Sequence, residues 1–566
     1  MSKQYILGLH AGHNAAACLG DERGIILAVQ EERVTGEKNY WGYPRRAIDF
    51  CLKHAGLRPT DLAVVAVGGH QVLSGYHSRD DVLKAYRRQY SFLGRMRQRV
   101  AVPLVLAFSS NFGQRRLVEQ LAEHGLGDVP RTHYDHHLTH AASAYYGLRT
   151  SPDRPYVVLT CDGDGDGACA TLRLWGGGRN ELVASTPWDN SLGAIYSWIT
   201  FLMGFVPLEH EYKLMGMAPY ASERGTEELA RKFREYLALD ESGLALRRKT
   251  LRRTNDLCDR LYADLRGERF DYVCAGLQRL TEEILSGWAD AAVRKSGVGD
   301  VLAAGGVFMN VKANQRIAAL PGVRSFEAFP SCGDETLCIG AYYLEAARRF
   351  GDSAVQPLQH FYLGDSPTDD ETARAVAACE FPHRKPDDMA RTMAELLAAG
   401  HPVARCAGPM EFGARALGNR SILADPGNQD VVRVINQMVK KRDFWMPFAP
   451  LMLARRQHDY IRNPKGLRSP FMMMTFDTQD NFREMIAAVH NADLTCRAQL
   501  LEPEANPEMH RIVEAFEART GRGVILNTSF NLHGFPIVRT AEDALHVFRN
   551  SGLTHLQVGP YLVSKN

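Results

Sequence analysis

Short apolar runs, separated by turns of glycine and acidic residues, mark the first half of the chain. Residues 5–9, 15–19 and 25–29 each predict a buried strand, and DERG predicts the turn before the third strand. The same plan returns at 156–161 (YVVLTC), which the loop DGDGDG joins to a second apolar run, ACATLRLW. A repeated strand–loop–strand unit indicates two related halves that face each other across a cleft.

Longer periodic patterns follow these strands. Apolar residues at helical spacing in 228–238, 276–294 and 336–350 predict amphipathic helices, whereas VLAAGGVF (301–308) predicts a buried strand that ends in glycines. Residues 351–367 are rich in Pro, Gly, Asp and Ser, a composition typical of a domain boundary. The predicted division is a domain 1–352, a linker 353–367 and an α/β domain 368–566 that opens with a helix near 366–379.

The bulk composition narrows the class of protein. Lys and Arg number 67 against 65 Asp and Glu, so the net charge of +2 gives no reason to expect nucleic acid or an anionic membrane as a partner. No apolar run reaches the ~18 residues of a membrane span, and the first residues lack the pattern of a signal peptide. The 11 cysteines contain no C-x-x-C pair, which favours a reduced, cytoplasmic protein. A homodimer is the commonest oligomer to expect.

Two histidines four residues apart are the first candidates for chemistry. His136 and His140 lie at the start of a predicted helix, where this spacing puts both imidazoles on one face. Asp162 and Asp334 are candidate carboxylate partners. Two histidines with carboxylates suit Fe²⁺ or another divalent transition metal. The alternative is that the histidines are structural, which is common on helices.

The first of two glycine-rich loops is a candidate for holding phosphate groups. The run that begins at Asp162 (DGDGDG) starts like a calcium-binding loop, but the twelfth position, which requires Glu, is Arg173. We instead interpret Gly163, Asp164 and Gly165 as a turn whose backbone N–H groups meet phosphate oxygens. An exposed β-turn is the alternative.

The second glycine-rich loop follows the predicted strand 301–308. Its residues Gly305, Gly306, Val307 and Asn310 are candidate nucleotide contacts, because two glycines let a ligand approach the backbone closely. A tight packing turn explains the glycines equally well. The chain has no G-x-x-x-x-G-K-[ST] run, which excludes a P-loop NTPase, and no G-x-S-x-G nucleophile turn.

The densest set of polar residues lies in the last third of the chain. Arginines and lysines that converge with amides and hydroxyls are typical of a site for a phosphate-bearing substrate, because Arg binds phosphate oxygens through two N–H groups. Exposed cationic faces are the alternative, although these residues adjoin apolar or small neighbours rather than other charges. The candidates are Arg415, Arg420, Lys440, Arg442, Arg497, Gln499, Asn527, Ser529 and Asn531.

Nine ordered segments resemble the bacterial O-carbamoyltransferase family, whose members modify nodulation factors, cephamycins, aminoglycosides, ansamycins and related products. The most specific are EFGARALGNRSILADP (411–426), VKKRDFWMPFAP (439–450) and GVILNTSFNLHGFPIV (523–538). The others are EERVTGEK (31–38), HHLTHAASAYY (136–146), SLGAIYSWIT (191–200), EYKLMGMAPY (211–220), GGVFMNVKAN (305–314) and SCGDETLCIGAYY (331–343). The resemblance covers almost the whole chain.

This resemblance implies an α/β fold with two domains. The N-terminal domain would be a duplicated, actin-like (ASKHA) domain, and the C-terminal one would resemble threonylcarbamoyl-adenylate synthase (YrdC-like). The C-terminal domain would form carbamoyl-adenylate from carbamoyl phosphate and ATP, with Mg²⁺. The N-terminal domain would then pass the carbamoyl group to a hydroxyl of a small molecule.

The resemblance also implies roles for individual residues. His136, His140, Asp162 and Asp334 would hold the metal, and His13 would be the acceptor-site histidine, with Lys38 as a second contact. Lys213 would join the nucleotide contacts, and Arg415, Lys440, Arg442, Arg497 and Ser529 would form the carbamoyl-phosphate and ATP pocket. The chain departs from the family at Asn14, where Asp is usual, and at Ala414, where proline is usual.

Three other functions stay open at this point. The first is carbamoyl-adenylate chemistry directed at an amine or at water, and the second is a nucleotide-dependent binding module. The third is an RNA-modifying enzyme, against which the near-neutral charge counts. The acceptor is unidentified, because residues 39–45 and 70–115 carry no pattern that specifies a ligand.

Overall fold

The computed structural model describes residues 4–70, 79–90, 113–440 and 443–565, which form two compact units. The first unit comprises Met1–Glu31 and Asn39–Leu358, and the second comprises Glu32–Lys38 and Gln359–Asn566. The second unit therefore begins within the predicted linker 353–367. The short segment Glu32–Lys38 belongs to the second unit although its neighbours on both sides belong to the first, which the sequence pattern did not predict.

Two five-stranded sheets of the same design form the first unit. In chain order the strands of the first sheet are β1 Tyr5–His10, β2 Ala16–Asp21, β3 Gly24–Gln30, β4 Leu62–Gly68 and β5 Arg131–Tyr134. Those of the second are β6 Tyr156–Gly165, β7 Ala168–Gly176, β8 Arg179–Pro187, β9 Asp300–Ala304 and β10 Ser325–Ala328. The spatial orders are β3-β2-β1-β4-β5 and β8-β7-β6-β9-β10. In both sheets the first two pairings are antiparallel and the last two parallel, so the predicted duplication is confirmed.

Apolar side chains explain why these strands form the interior. All six residues of β2 and all five of β9 are buried, as continuous runs of small and branched apolar residues require in sheets covered on both faces. The predicted strand 301–308 ends earlier, at Ala304, because Gly305 takes a φ of +97° and the chain turns into the short helix Gly306–Met309. This left-handed backbone is open to glycine at little cost.

Helices cover the sheets of the first unit. The predicted helix 276–294 lies within the observed helix Phe270–Ser296. The predicted helix 336–350 matches Leu337–Phe350. The prediction 228–238 ran too far, because that helix ends at Phe233 and strand Leu237–Leu239 follows. The other helices include Arg45–His54, Arg79–Tyr90, residues 113–123, His136–Leu148, Leu192–Leu202, Glu211–Met217, Glu223–Phe233, Cys258–Leu265 and Val311–Ala319. Glu31–Thr35 begins in the first unit and continues into the second.

A mixed eight-stranded sheet forms the centre of the second unit. Its strands in chain order are β11 His383–Arg384, β12 Val403–Cys406, β13 Arg420–Ala424, β14 Ala449–Leu453, β15 Gln499–Leu501, β16 Val524–Ser529, β17 His555–Val558 and β18 Tyr561–Ser564. The spatial order is β11-β18-β17-β12-β13-β16-β14-β15. Its helices are Asp369–Ala377, Met389–Ala398, Asp430–Ile435, Gln457–Tyr460, Pro507–Thr520 and Ala541–Arg549. Alternate residues of β12 and β13 enter two separate apolar clusters, as the two-residue period of a strand requires.

The helix predicted near 366–379 is Asp369–Ala377. The Thr368 hydroxyl accepts a hydrogen bond from the Glu371 backbone N–H, and the Glu371 carboxylate accepts one from the Thr368 backbone N–H. Together these two bonds form a capping box at the start of the helix. Within the described ranges of both units, no helix is long and apolar enough to cross a membrane.

Candidate functional site

Four side chains of the first unit converge on one point. His140 Nε2 lies 3.1 Å from Asp162 Oδ2 and 3.5 Å from Asp334 Oδ1. His136 Nε2 lies 4.0 Å and 3.7 Å from the same two oxygens. One donor atom from each residue lies within 4.8 Å of the other three. The structure therefore brings together the four residues that the sequence proposed as metal ligands.

Local structure accounts for the positions of the two histidines. Asp135 caps the helix His136–Leu148 by accepting a hydrogen bond from Leu138 N, so the helix begins immediately before the first histidine. Asp166 Oδ2 accepts a hydrogen bond from His136 N at 2.8 Å, which fixes the first turn. The spacing of four residues then places His140 above His136 on the same face.

The two carboxylates come from different parts of the same unit. Asp162 lies in the last part of β6, and its Oδ2 accepts a hydrogen bond from Gly306 N at 3.0 Å. Asp334 begins the short helical turn Asp334–Thr336, which leads into the helix Leu337–Phe350. The central strand of the second sheet, the start of a long helix and a short helical turn therefore each contribute to the site.

Glycines leave the space that the cluster occupies. A Cβ on Gly165 would lie 2.3 Å from the ring of His136, so any side chain there would displace the imidazole. A Cβ on Gly305 would lie 2.3 Å from the Cys161 carbonyl oxygen. Gly165 therefore leaves room for the His136 ring, and Gly305 lets its loop pack against the strand that carries Asp162. The predicted phosphate and nucleotide contacts of these glycines stay predictions.

The electrostatics of the cluster couple its members. Burial favours the neutral form of His140, but Asp162 and Asp334 outweigh burial and raise the pKa of this imidazole to about 9. Burial and the charge of His140 lower the pKa of His136 well below its usual value. Burial and the charge of Asp162 raise the pKa of Asp334 to about 6. The two carboxylates therefore favour one positive charge on the imidazoles, and repulsion between the imidazoles opposes a second.

The donor set fits a divalent transition metal. Both imidazoles are buried, and among the described residues neither His136 Nε2 nor His140 Nε2 has a well-aligned hydrogen bond, although His140 Nε2 lies at ion-pair distance from Asp162. Buried polar nitrogens without such partners are costly unless another group satisfies them. Two imidazole nitrogens and two carboxylates are a set that iron, zinc or manganese accepts.

The residues predicted to hold nucleotide differ in their surroundings. Gly163 borders open space, and burial together with Asp162 raises the pKa of Asp164 to about 6. Asn310 instead caps the helix Val311–Ala319 and pairs both ends of its amide with Gln278, so its polar atoms serve the fold. Val307 lies in the turn after Gly306, and Lys213 Nζ lies 5.0 Å from the centre of the Phe205 ring.

His13 lies in the first unit, on the short strand Gly12–His13, which pairs with Trp41–Gly42. The His13 and Trp41 rings are 4.9 Å apart. Burial lowers the pKa of His13 to about 4, so its imidazole is neutral at pH 7. Lys38 is half-buried at the end of the segment that groups with the second unit. Its predicted role beside His13 stays a prediction.

Arg420 differs from the expectation of a phosphate contact. Its side chain is fully buried, and its guanidinium donates to the backbone carbonyl oxygens of Arg539, Ala407, Gly408, Asn419 and Asp365. These N–H groups are occupied by the chain itself. The geometry therefore assigns Arg420 to the framework of the second unit.

Gln499 and Asn527 also form part of this framework. Both are 2% exposed, and Asn527 Nδ2 donates to Gln499 Oε1 at 3.2 Å and to the Ala416 carbonyl at 2.9 Å. Gln499 Nε2 donates to the Leu417 carbonyl at 3.1 Å. The pair therefore holds the chain segment that follows Arg415.

The remaining candidates of the second unit are more accessible. Arg415, Arg497, Ser529 and Asn531 are all partly exposed. Ser529 Oγ donates to Asn531 Oδ1 at 2.8 Å, and Asn531 Nδ2 donates to two carbonyls of the following turn, which orders the end of β16. Arg442 and the side chain of Lys440 lie outside the described residues, so their predicted roles stay predictions.

Sequence reasoning missed two residues that shape the segment around Arg415. Glu411 is buried, and its Oε1 accepts hydrogen bonds from the backbone N–H groups of Leu417, Asn419 and Arg420. Arg33 is buried within the second unit and donates to the carbonyls of Gly413 and Ile537. The signal for both was their place inside the motifs EFGARALG and EERVTGEK, where a charged residue next to small or apolar ones predicts a buried partner.

Comparison with known proteins places the whole chain in one group. Residues 5–343 match the family described as carbamoyltransferase N-terminus, and residues 394–565 match carbamoyltransferase C-terminus. An uncharacterized protein of Synechocystis, sll1178, is 30% identical over 99% of this chain and 97% of its own length. The nodulation protein NolNO of Sinorhizobium fredii is 30% identical over 98% of this chain and 79% of its own.

A shorter match concerns a named enzyme. A 3'-hydroxymethylcephem-O-carbamoyltransferase of Amycolatopsis lactamdurans is 31% identical over 29% of this chain and 30% of its own length. The two family matches together cover most of the sequence and include the four convergent side chains and the segment around Arg415. The chain therefore belongs to the carbamoyltransferase family and is an enzyme that transfers carbamoyl groups.

Proposed function

We propose that the protein is an ATP-dependent O-carbamoyltransferase that works in two half-reactions. The second unit, which we propose to be YrdC-like, first hydrolyses carbamoyl phosphate to carbamate and inorganic phosphate. The carbamate oxygen then attacks the α-phosphorus of ATP with Mg²⁺, which forms carbamoyl-adenylate and releases pyrophosphate. The first unit transfers the carbamoyl group from this adenylate to a hydroxyl of a small molecule and releases AMP. The observation that carries the proposal is the buried cluster of His136, His140, Asp162 and Asp334 in a member of this family.

The cluster supports the transfer half-reaction. A divalent ion held by its two imidazoles and two carboxylates would supply Lewis-acid stabilisation of phosphate oxygens. Gly163 borders open space beside Asp162, so the backbone there is accessible to a charged group. The neighbouring Asp164, whose pKa is raised to about 6, ionises near neutral pH and adds to the negative surroundings that favour a cation.

His13 supports proton removal from the acceptor. Its imidazole is neutral at pH 7, so one ring nitrogen can take the hydroxyl proton as the hydroxyl oxygen attacks the carbamoyl carbon. The bond between that carbon and the phosphate oxygen of AMP then breaks. AMP leaves with the electron pair, and the proton remains on His13 until it passes to solvent.

Arg415 is the arginine of the second unit best suited to the activation half-reaction. Glu411, Gln499 and Asn527 fix the backbone that follows it, and its side chain is partly exposed. A fixed arginine that reaches solvent can bind phosphate oxygens without the cost of ordering a loop. Arg497, Ser529 and Asn531 are its proposed companions.

The test of this function separates the two half-reactions. The protein is loaded with Fe²⁺ and mixed with ATP, Mg²⁺ and carbamoyl phosphate, and ATP–pyrophosphate exchange is measured before any acceptor is added. We expect exchange that depends on carbamoyl phosphate. Incorporation of [¹⁴C]carbamoyl label is then measured with a panel of hydroxyl compounds that includes a 3'-hydroxymethylcephem, with an amine panel and RNA as comparisons. Label in an amine or in RNA would contradict hydroxyl transfer.

Two variants assign the half-reactions to residues. Arg415→Ala should abolish exchange, whereas His136→Ala should keep exchange and lose AMP-forming transfer. Arg374→Ala, on the exposed face of the helix Asp369–Ala377, is the matched arginine control and should keep both. The two-step scheme fails if His136→Ala removes exchange as completely as Arg415→Ala does.

A further inference from the structure

The turn that carries His13 is held by a hydrogen bond over a long sequence distance. The next residue, Asn14, has a φ of +54°, in the left-handed region that asparagine tolerates better than most residues. Its amide Nδ2 donates to Glu335 Oε2 at 3.5 Å, across 321 residues of sequence. Glu335 is 3% exposed, so this contact lies inside the first unit.

Glu335 itself is fixed from two other directions. Ser331, which also has a left-handed φ of +60°, donates its hydroxyl to Glu335 Oε1. Gly333 packs so closely that a Cβ there would lie 2.6 Å from Glu335 Oε2. Glu335 directly follows Asp334. One short segment therefore positions both a carboxylate of the candidate metal cluster and the carboxylate that accepts the hydrogen bond from Asn14.

The direction of this hydrogen bond orients the whole Asn14 side chain. A carboxylate oxygen accepts hydrogen bonds, so the NH₂ end of the amide must face Glu335 and the Oδ1 end must face away. Asn14 Oδ1 is buried and, among the described residues, has no hydrogen-bond partner. A buried carbonyl oxygen without a donor costs about 1–3 kcal/mol. The arrangement therefore presents a fixed acceptor beside His13.

We propose that Asn14 Oδ1 binds a neutral N–H or O–H donor of the transfer substrates and that Glu335 is the positioning residue for Asn14. The donor is either the NH₂ of the carbamoyl group or the hydroxyl of the acceptor, which share this chemistry. The proposal rests on the proposed function, because it places the contact from Asn14 Oδ1 to the substrates in the same transfer site as His13.

This proposal explains the departure at position 14. An Asp there would also offer an acceptor oxygen, but it would place a second carboxylate at hydrogen-bond distance from Glu335, with no proton between them. Two negative charges at that distance repel. Asn keeps the acceptor and supplies the donor that Glu335 requires, so residues 14 and 335 should function as a matched pair.

A charge-swap cycle tests the pair in the full-length, Fe²⁺-loaded protein. Asn14→Asp and Glu335→Gln should each slow AMP-forming transfer by about 10- to 100-fold, the range for residues in direct contact. The double variant Asn14→Asp/Glu335→Gln should recover to within about 3-fold of wild type, because the amide introduced at position 335 can donate to the carboxylate introduced at position 14. Asn180→Asp, the same change at an exposed position of β8, should have no effect.

Transfer is measured with the best hydroxyl compound of the panel and with water as the acceptor. Losses with both acceptors identify the carbamoyl NH₂ as the donor, and a rise in KM for the hydroxyl compound alone identifies its hydroxyl. ATP–pyrophosphate exchange, measured on the same preparations, should stay within about 2-fold of wild type, since neither residue belongs to the second unit.

Three outcomes would overturn the proposal. The first is an Asn14→Asp variant that transfers as fast as wild type, and the second is a double variant no faster than the product of the single effects. The third is equal loss of transfer and melting temperature in all variants, which would make the contact structural. Absence of exchange in the wild type would instead reject the proposed function, and the substrate role of Asn14 with it.

Discussion

Two groups of buried polar side chains, one in each unit, differ in whether the chain itself satisfies their hydrogen-bonding atoms. In the first unit, two imidazoles and two carboxylates point at one another, and neither Nε2 atom has a well-aligned hydrogen bond within the described chain. In the second unit, the side chains of Arg420 and Gln499 are equally buried but donate to backbone carbonyls. Buried polar groups that the chain satisfies build a framework, whereas those it leaves converging form a site.

The comparison changes how the arginines of the second unit are interpreted. Arg420 and Arg415 lie five residues apart in one motif, yet the guanidinium of Arg420 is enclosed by carbonyls and that of Arg415 is partly exposed. A full set of five N–H donors can serve a phosphate or the backbone, but not both. Exposure therefore distinguishes the two arginines where sequence spacing does not, and only Arg415 is accessible to a ligand.

The largest effect should come from removal of one converging carboxylate. Asp162→Ala should weaken Fe²⁺ or Zn²⁺ binding by more than about 100-fold, beyond the 10–100-fold cost of losing a group that only orients a ligand. Metal content after anaerobic dialysis, measured by mass spectrometry, checks this. His133→Ala, whose ring stacks on His70 outside the cluster, is the control and should retain the metal. An Asp162→Ala protein that keeps its full metal content would show that Asp162 is not a metal ligand.

A comparable effect, on stability rather than on metal binding, should follow from removal of the buried Arg420 guanidinium, whose N–H groups are hydrogen-bonded to carbonyls. Arg420→Met should lower the free energy of unfolding by about 3 kcal/mol or more, because several buried carbonyls lose their donors. Urea denaturation measures the loss, and the KM for carbamoyl phosphate in the surviving folded protein should be unchanged. Arg374→Ala should change the stability by less than about 0.5 kcal/mol. A raised KM at full stability would return Arg420 to the phosphate pocket.

The pH dependence of metal binding offers a sharper view of the first cluster. The pKa of His140 is about 9, so at pH 7 a proton occupies the position that the metal must take. His136 is already neutral, and Asp334, with a pKa of about 6, is ionised. Affinity should therefore rise about tenfold per pH unit from 7 to 9 and then level off. Calorimetry should record the release of about one proton per metal at pH 7.5, and a pH-independent affinity would reject the coupling.

The smallest effect concerns the Gln499–Asn527 pair. Gln499→Leu should cost about 1–2 kcal/mol of stability, because Leu417 keeps a second donor in the Tyr362 hydroxyl. ATP–pyrophosphate exchange should fall less than it does for Arg415→Ala. A complete loss of exchange with normal stability would show that Gln499 binds substrate, and would remove it from the framework.

Much of the first unit could be predicted because apolar runs fix its strands. YILGL and YVVLTC became β1 and β6, and their repeated surroundings predicted the duplication. The metal candidates followed from the spacing of His136 and His140 on one helical face. Gly165 was identified as a phosphate contact, which stays a prediction, but its contact with the His136 ring was not predicted because it depends on how β6 packs against a helix.

The second unit was harder to predict because its sheet joins segments that are distant in the sequence. The direction of Arg420 depends on carbonyls from five different positions between 365 and 539. Similarly, the hydrogen bond from Asn14 reaches a residue 321 positions away. A sequence pattern reports on neighbours along the chain, so contacts of this kind have no local signature.

The segment Glu32–Lys38 has a consequence for the order in which the protein folds. Arg33 is synthesised early but donates to the carbonyl of Ile537, 504 residues later, within the second unit. Until the segment that contains Ile537 has been synthesised, this buried guanidinium lacks one of its two carbonyl partners. The second unit is thus a discontinuous domain that closes a very long loop, and loop closure at this distance is slow. We expect Arg33→Met to leave this loop closure in place but to lower the free energy of unfolding of the second unit, because two buried carbonyl oxygens lose their donor.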